Sequence, residues 1–148
     1  MNAKLNKWLI LTVAMVIITA WLWGPLVDVV SRDSTHITVG IILIFIVAHM
    51  ASTKLITAYS EELEAKLWFT AELLVAIGMI GTVTGFILMF GEAFASIDTS
   101  KPETISAVLT DMASGMGTAL VTTLFGIVGS FMLKAELVFI LGIVTGKH

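Results

Sequence analysis

The chain has 148 residues, of which 57% are hydrophobic and 13% charged, and its mean hydropathy is +1.01. An average soluble domain is about a quarter charged. Eight Lys plus Arg with eleven Asp plus Glu cannot cover the surface that a water-exposed fold of this size presents, so a soluble monomer is excluded and lipid is the expected solvent. A net charge of −3 without a basic tract excludes an electrostatic footprint for nucleic acid, and the absence of cysteine excludes disulfides and thiolate metal sites.

A membrane-spanning helix needs roughly 20 mostly apolar residues, and the chain offers four such runs, at about 8–30, 35–53, 71–94 and 105–133. The first follows Lys4 and Lys7, with Trp8, Trp21 and Trp23 as interfacial anchors. Its length, and Trp21, Trp23 and Pro25 where small residues would be needed for cleavage, mark it as a retained helix rather than a signal peptide. The second span lies around Ile37 to Thr53. Between it and the third, the segment Lys54 to Lys66 is expected to be helical, with Ser60 as N-cap and Glu61 and Glu62 in an acidic first turn. A solvated helix surface and a contact for a cytoplasmic partner are both open for it. The third span, Leu73 to Gly91, is interrupted by Gly78, Gly81 and Gly85. The fourth begins at Ser100-Lys-Pro-Glu103, which has capping-box spacing with Pro102 in the first turn. Continued to Val144 it would be on the order of 65 Å long, more than a bilayer's thickness.

Retention of Lys and Arg on the cytoplasmic side sets the orientation. With both termini inside, Lys4, Lys7, Lys54, Lys66, Lys134 and Lys147 are cytoplasmic, and only Arg32 and Lys101 are outside. The expectation is one all-α, four-helix, multi-pass transmembrane domain over residues 1–148.

The fourth helix has two faces at 100° per residue. Asp111, Gly115, Thr118, Thr122, Gly126 and Gly129 share one, and Met116, Leu120, Leu124, Ile127 and Phe131 share the other. The small face has two readings. Small residues let membrane helices approach closely, as in Gly81-Thr-Val-Thr-Gly85. Alternatively, the hydroxyls of Thr82, Thr84, Thr118, Thr122 and Thr123 line a polar path, since polar groups within a membrane need partners or water. Asp111, 12 residues before Thr123 and so about 18 Å along a helix axis, belongs near the outer mouth. It serves there either as a cation-concentrating ring in an assembly or as an interfacial residue paired with Lys101.

No full charge falls in the middle of a span, since Asp28, Glu72, Glu92 and Asp111 all lie near helix ends. An ion crossing here would need its essential carboxylate from a partner. His49 stands alone near the inner end of the second helix, as a hydrogen-bonded filler or as a ligand. No metalloprotease, phosphate-loop or Ser-His-Asp pattern is present, and neither an enzyme nor a cofactor is expected.

Gly78-Met-Ile-Gly-Thr-Val-Thr-Gly85, followed one helix later by Gly117-Thr-Ala-Leu-Val-Thr-Thr-Leu-Phe-Gly126, resembles the two pore-helix signatures of the MotA/TolQ/ExbB proton channel family. The resemblance covers Leu73 to Leu133, and the four-helix layout is similar to the MotA branch. It implies a homopentamer whose third and fourth helices line a central pore around a dimer of a MotB/TolR/ExbD-like single-span partner. The partner's membrane aspartate would carry H+ or Na+ past the threonines matching Thr82 and Thr123, with Thr122 and Thr118 beside them. Gly78, Gly81, Gly85, Gly115 and Gly126 would allow close helix approach. Ion passage would turn the pentamer, converting ion-motive force into mechanical work. Thr118 stands where ExbB-like members carry glutamate, and Val75 where MotA-like members carry proline. The long cytoplasmic domain of flagellar stators has no counterpart between the second and third spans, so a flagellar rotor is not the expected load. A holin-like or structural four-helix membrane protein is the alternative.

Overall fold

The computed structural model describes residues 36–96 and 102–145, with Val13 as an isolated position. The first predicted span, residues 31–35 and 97–101, and the last three residues lie outside the described residues. The described residues form three helices and no strand: α1 (Ile37–Thr57), α2 (Glu61–Ser96) and α3 (Pro102–Thr145). All of α1, Glu61–Ala95 of α2 and Ile105–Val144 of α3 are long and apolar enough to cross a membrane. They correspond to the second, third and fourth predicted spans.

Local chemistry sets the boundaries. His36, in the left-handed region at φ 55°, turns the chain into α1, and its carbonyl accepts the Gly40 N–H at 3.3 Å. Lys54 lies in the last turn of α1, where a cation complements the helix dipole, and Ala58 closes that end by donating its N–H to the Lys54 carbonyl at 2.8 Å. After only Ala58, Tyr59 and Ser60, α2 starts at Glu61. The Ser60 hydroxyl accepts the Leu63 N–H at 3.4 Å, and Glu61, Glu62 and Glu64 occupy the first turn. The segment expected as a separate connection is thus divided between α1 and α2, and the third span begins ten residues before the apolar run that signalled it. At α3, Pro102 is the first helical residue, where its missing N–H costs no hydrogen bond.

With 36 and 44 residues, α2 and α3 are about 54 and 66 Å long, more than the roughly 30 Å hydrocarbon thickness of a bilayer. Both extend beyond the membrane at one end or both. They run antiparallel and form the most extensive helix contact, with α1 packed against each of them. Toward the α1–α2 turn the core consists of Ile41, Ala48 and Leu55 from α1, Leu67, Ala71 and Leu74 from α2, and Leu133, Leu137 and Ile140 from α3. Their three-, four- and seven-residue spacings are those of interlocking helical stripes. The opposite face of α3 is open: Leu120 is 52% exposed, Leu124 58% and Phe131 72%. Exposed aliphatic and aromatic side chains on membrane-length helices suit lipid or another subunit.

Candidate functional site

Away from that aliphatic core, small residues replace large ones along the α2–α3 contact. Gly78 lies against Gly126, Gly81 against Thr122, Gly85 against Ala119, and Met89 against Gly115, a constant antiparallel register. The approach is close enough that a Cβ built on Gly78 would stand 2.8 Å from the Thr122 carbonyl oxygen, and one on Gly126 only 2.5 Å from that of Leu74. Gly85 and Gly115 are equally filled, by Ala119 and by the Met89 side chain. All five glycines marked in the sequence thus stand on one seam.

That proximity brings the threonines together. The Thr82 hydroxyl contacts the Thr123 hydroxyl directly, reaches the Ala119 carbonyl at 2.9 Å and its own-helix Gly78 carbonyl at 3.3 Å, and lies 3.4 Å from the Thr122 hydroxyl. Thr122, which is buried, reaches Ala119 O at 2.9 Å and Gly78 O at 3.2 Å, and Thr123 reaches Gly78 O at 3.0 Å. Three hydroxyls have three protons to donate, fewer than the contacts within their reach, so the cluster has several hydrogen-bond arrangements of similar geometry. It is a compact group of five oxygens, three hydroxyl and two carbonyl, without a formal charge. Such a group can solvate a cation or pass a hydrogen bond along, but it cannot by itself hold a proton at neutral pH.

The other marked residues are less engaged. Thr84 is half-buried and outside this cluster, and Asp111 is exposed toward the start of α3. Thr118 belongs to α3, but its side chain lies outside the described residues, as does Lys101, the suggested partner of Asp111.

Sequence reasoning missed a second polar group. His49 is not alone: its Nδ1 lies 2.8 Å from Glu136 Oε2, and Ser52 Oγ donates to Glu136 Oε1 at 2.5 Å. The Glu136 side chain is fully buried. A signal was present. Glu136 follows Thr122 by 14 residues, close to four helical turns, which places it on the same buried face. Near the α1–α2 turn the charged groups are superficial: Lys66 pairs with Glu62 at 2.5 Å, and Tyr59 donates to Glu64 at 2.6 Å, a bond that holds its phenol above the usual pKa.

The family model described as the MotA/TolQ/ExbB proton channel family matches residues 48–135, more than half of the chain and all of the threonine–glycine seam. The chain belongs to the MotA/TolQ/ExbB proton channel family. It is accordingly a membrane protein of a channel family rather than of an enzyme family. No curated protein and no solved structure matches it. Within the family assignment, the matched stretch includes both pore-helix signatures and also His49, Ser52 and most of α3 up to the residue before Glu136.

Proposed function

We propose that this MotA/TolQ/ExbB family member is the pore-forming subunit of an inner-membrane, ion-driven motor. Five copies, each with four membrane helices and both termini in the cytoplasm, surround a dimer of a single-span MotB/TolR/ExbD-like subunit whose membrane aspartate carries H+ or Na+. The observation that carries this reading is the contact of the Thr82 and Thr123 hydroxyls across α2 and α3, within the stretch that the family model matches. Oxygens without a carboxylate make a path that needs a titratable or coordinating group supplied by another chain. Lys54, Lys66 and Lys134, all toward the α1–α2 end of the bundle, support placing that end in the cytoplasm.

Thr82→Val and Thr123→Val retain side-chain shape and remove the hydroxyls. In vesicles containing this chain with its single-span partner, each is expected to lower partner-dependent ion flux by tenfold or more. Unchanged flux in both variants would refute the ion path.

One observation favours the structural alternative. Thr82 and Thr122 both reach backbone carbonyls within the seam, as inert packing hydroxyls do. On that reading the valine variants would lose stability without any partner-dependent property to lose.

A further inference from the structure

Three contacts mark where α1 stands along the other two helices. At its start, a Cβ built on Gly81 would meet Thr122 Oγ1 at 2.7 Å and Ile37 Cγ2 at 3.1 Å, so the first turn of α1 forms a wall beside the threonine cluster. Midway, Phe45 reaches to 3.7 Å from the Cβ position of Gly129. About 20 Å along α3 from Thr123, the buried Glu136 carboxylate meets α1, with His49 Nδ1 at 2.8 Å from one oxygen and Ser52 Oγ at 2.5 Å from the other. These contacts share an offset of 84–87 residues between α1 and α3.

Apolar packing specifies that offset weakly. Ile41, Ala48 and Leu55 present aliphatic surface turn after turn, and lipid supplies no hydrophobic force against sliding. The connection to α2 does not hold α1 either: Ala58, Tyr59 and Ser60, extended, would cover about 10 Å, against about 5.4 Å for one helical turn. The carboxylate is more demanding. A slip of four residues brings Phe45 and Ala48, or Thr53 and Ile56, to the places of His49 and Ser52, and neither pair offers two donors. Thr53 already donates to the Met50 carbonyl at 2.7 Å. A buried carboxylate that loses its donors is costly, and of these three registers the observed one alone avoids that cost.

We infer that Glu136, with His49 and Ser52, forms a register lock: a set of positioning residues that fixes α1 along α3 and thereby holds Ile37 against the Gly81–Thr122 wall. A polar group in an otherwise apolar helix interface sets register where apolar contacts do not. The lock adds specificity rather than stability, because an apolar side chain in place of Glu136 strands nothing. Ser52 keeps the His49 carbonyl at 2.6 Å, as Thr53 and Thr57 keep the carbonyls three residues before them, and the His49 side chain is 20% exposed. The bearing of the lock on ion passage rests on the reading of the threonine cluster as an ion path, whereas the register itself does not.

The test is pulsed electron-spin distance measurement on the full chain in lipid nanodiscs. The chain has no cysteine, so labels attach only where one is introduced, and dilution with unlabelled chain confines the distances to one molecule. Met50→Cys on α1 and Leu109→Cys on α3 replace exposed residues that stand about 40 Å apart along the bundle at the observed offset. Wild type and Glu136→Gln should give the same single distance, since the amide offers Ser52 an acceptor and the imidazole a donor. Glu136→Leu should displace that distance by about 5 Å, one helical turn, or split it in two, while its unfolding midpoint stays at or above the wild-type value. A Phe69→Cys, Leu109→Cys pair across α2 and α3 should not move in any variant. An unchanged distance in Glu136→Leu overturns the inference, as does a Leu variant that loses stability or fails to fold, or a Gln variant that moves as far. The Thr82→Val, Thr123→Val double variant should keep the wild-type distance whatever it does to ion flux, so failure of the ion path and failure of the lock are read separately.

Discussion

Single glycines decide how closely α2 and α3 approach, and the cost of losing one depends on its neighbours. Gly126 has no room, because its Cβ would meet the Leu74 carbonyl at 2.5 Å, whereas Gly142 has nothing within 4 Å. Gly126→Ala is therefore expected to destabilise the detergent-solubilised chain by about 1–3 kcal/mol through overpacking. Gly142→Ala should be neutral or stabilise by up to about 1 kcal/mol, the ordinary helix-propensity gain. Equilibrium unfolding of the two variants checks the contrast, and equal effects would mean that the seam is looser than described. At this scale the sequence was informative about Thr122, which helical periodicity puts on a small, polar face, and about Thr82 and Thr123, which their hydroxyls and the family signatures mark. Glu136 was passed over despite its spacing from Thr122, because a search for uncharged runs treats every carboxylate as a boundary. What keeps this one inside is His49, 87 residues away in sequence, and no local pattern shows a contact of that range.

Each helix turns a packed stripe inward and an apolar stripe outward, and the two should respond differently to truncation. On α3, Leu137 is fully buried in the three-helix core and Phe131 is 72% exposed. Leu137→Ala should cost about 2–5 kcal/mol, the range for an aliphatic cavity, while Phe131→Ala in the isolated chain should cost well under 1 kcal/mol, since lipid or detergent replaces the ring's surroundings. A large loss at Phe131 in the assembled protein alone would mark it as a contact between copies. Helix starts were legible where capping chemistry was read, as at Ser60 and Pro102. Where hydropathy alone was read, the start of α2 was placed ten residues late. The charged turns from Glu61 to Lys66 continue the helix through an acidic first turn and the Glu62–Lys66 bond, features that hydropathy scores as an interruption. Removing the cap by Ser60→Ala should cost about 0.5–1 kcal/mol, measured by the same unfolding transition.

The described helices form one bundle, which the proposed function takes as one subunit of a larger assembly. One chain pairs its polar seam internally, leaves a broad apolar face on α3, and offers the threonine cluster no formal charge. The family assignment and these features together are the support for the proposed subunit, repeated and filled by a partner. The distribution of lysines sets an expected orientation for the bundle, but the number of copies has no signature within one chain. The most direct test is the native mass of this chain, expressed alone and extracted in mild detergent. The account predicts a discrete complex of five 15.9 kDa chains, which a single-span subunit with a membrane aspartate should bind without changing that number. A monomer, a dimer or an undefined ladder of sizes would contradict it.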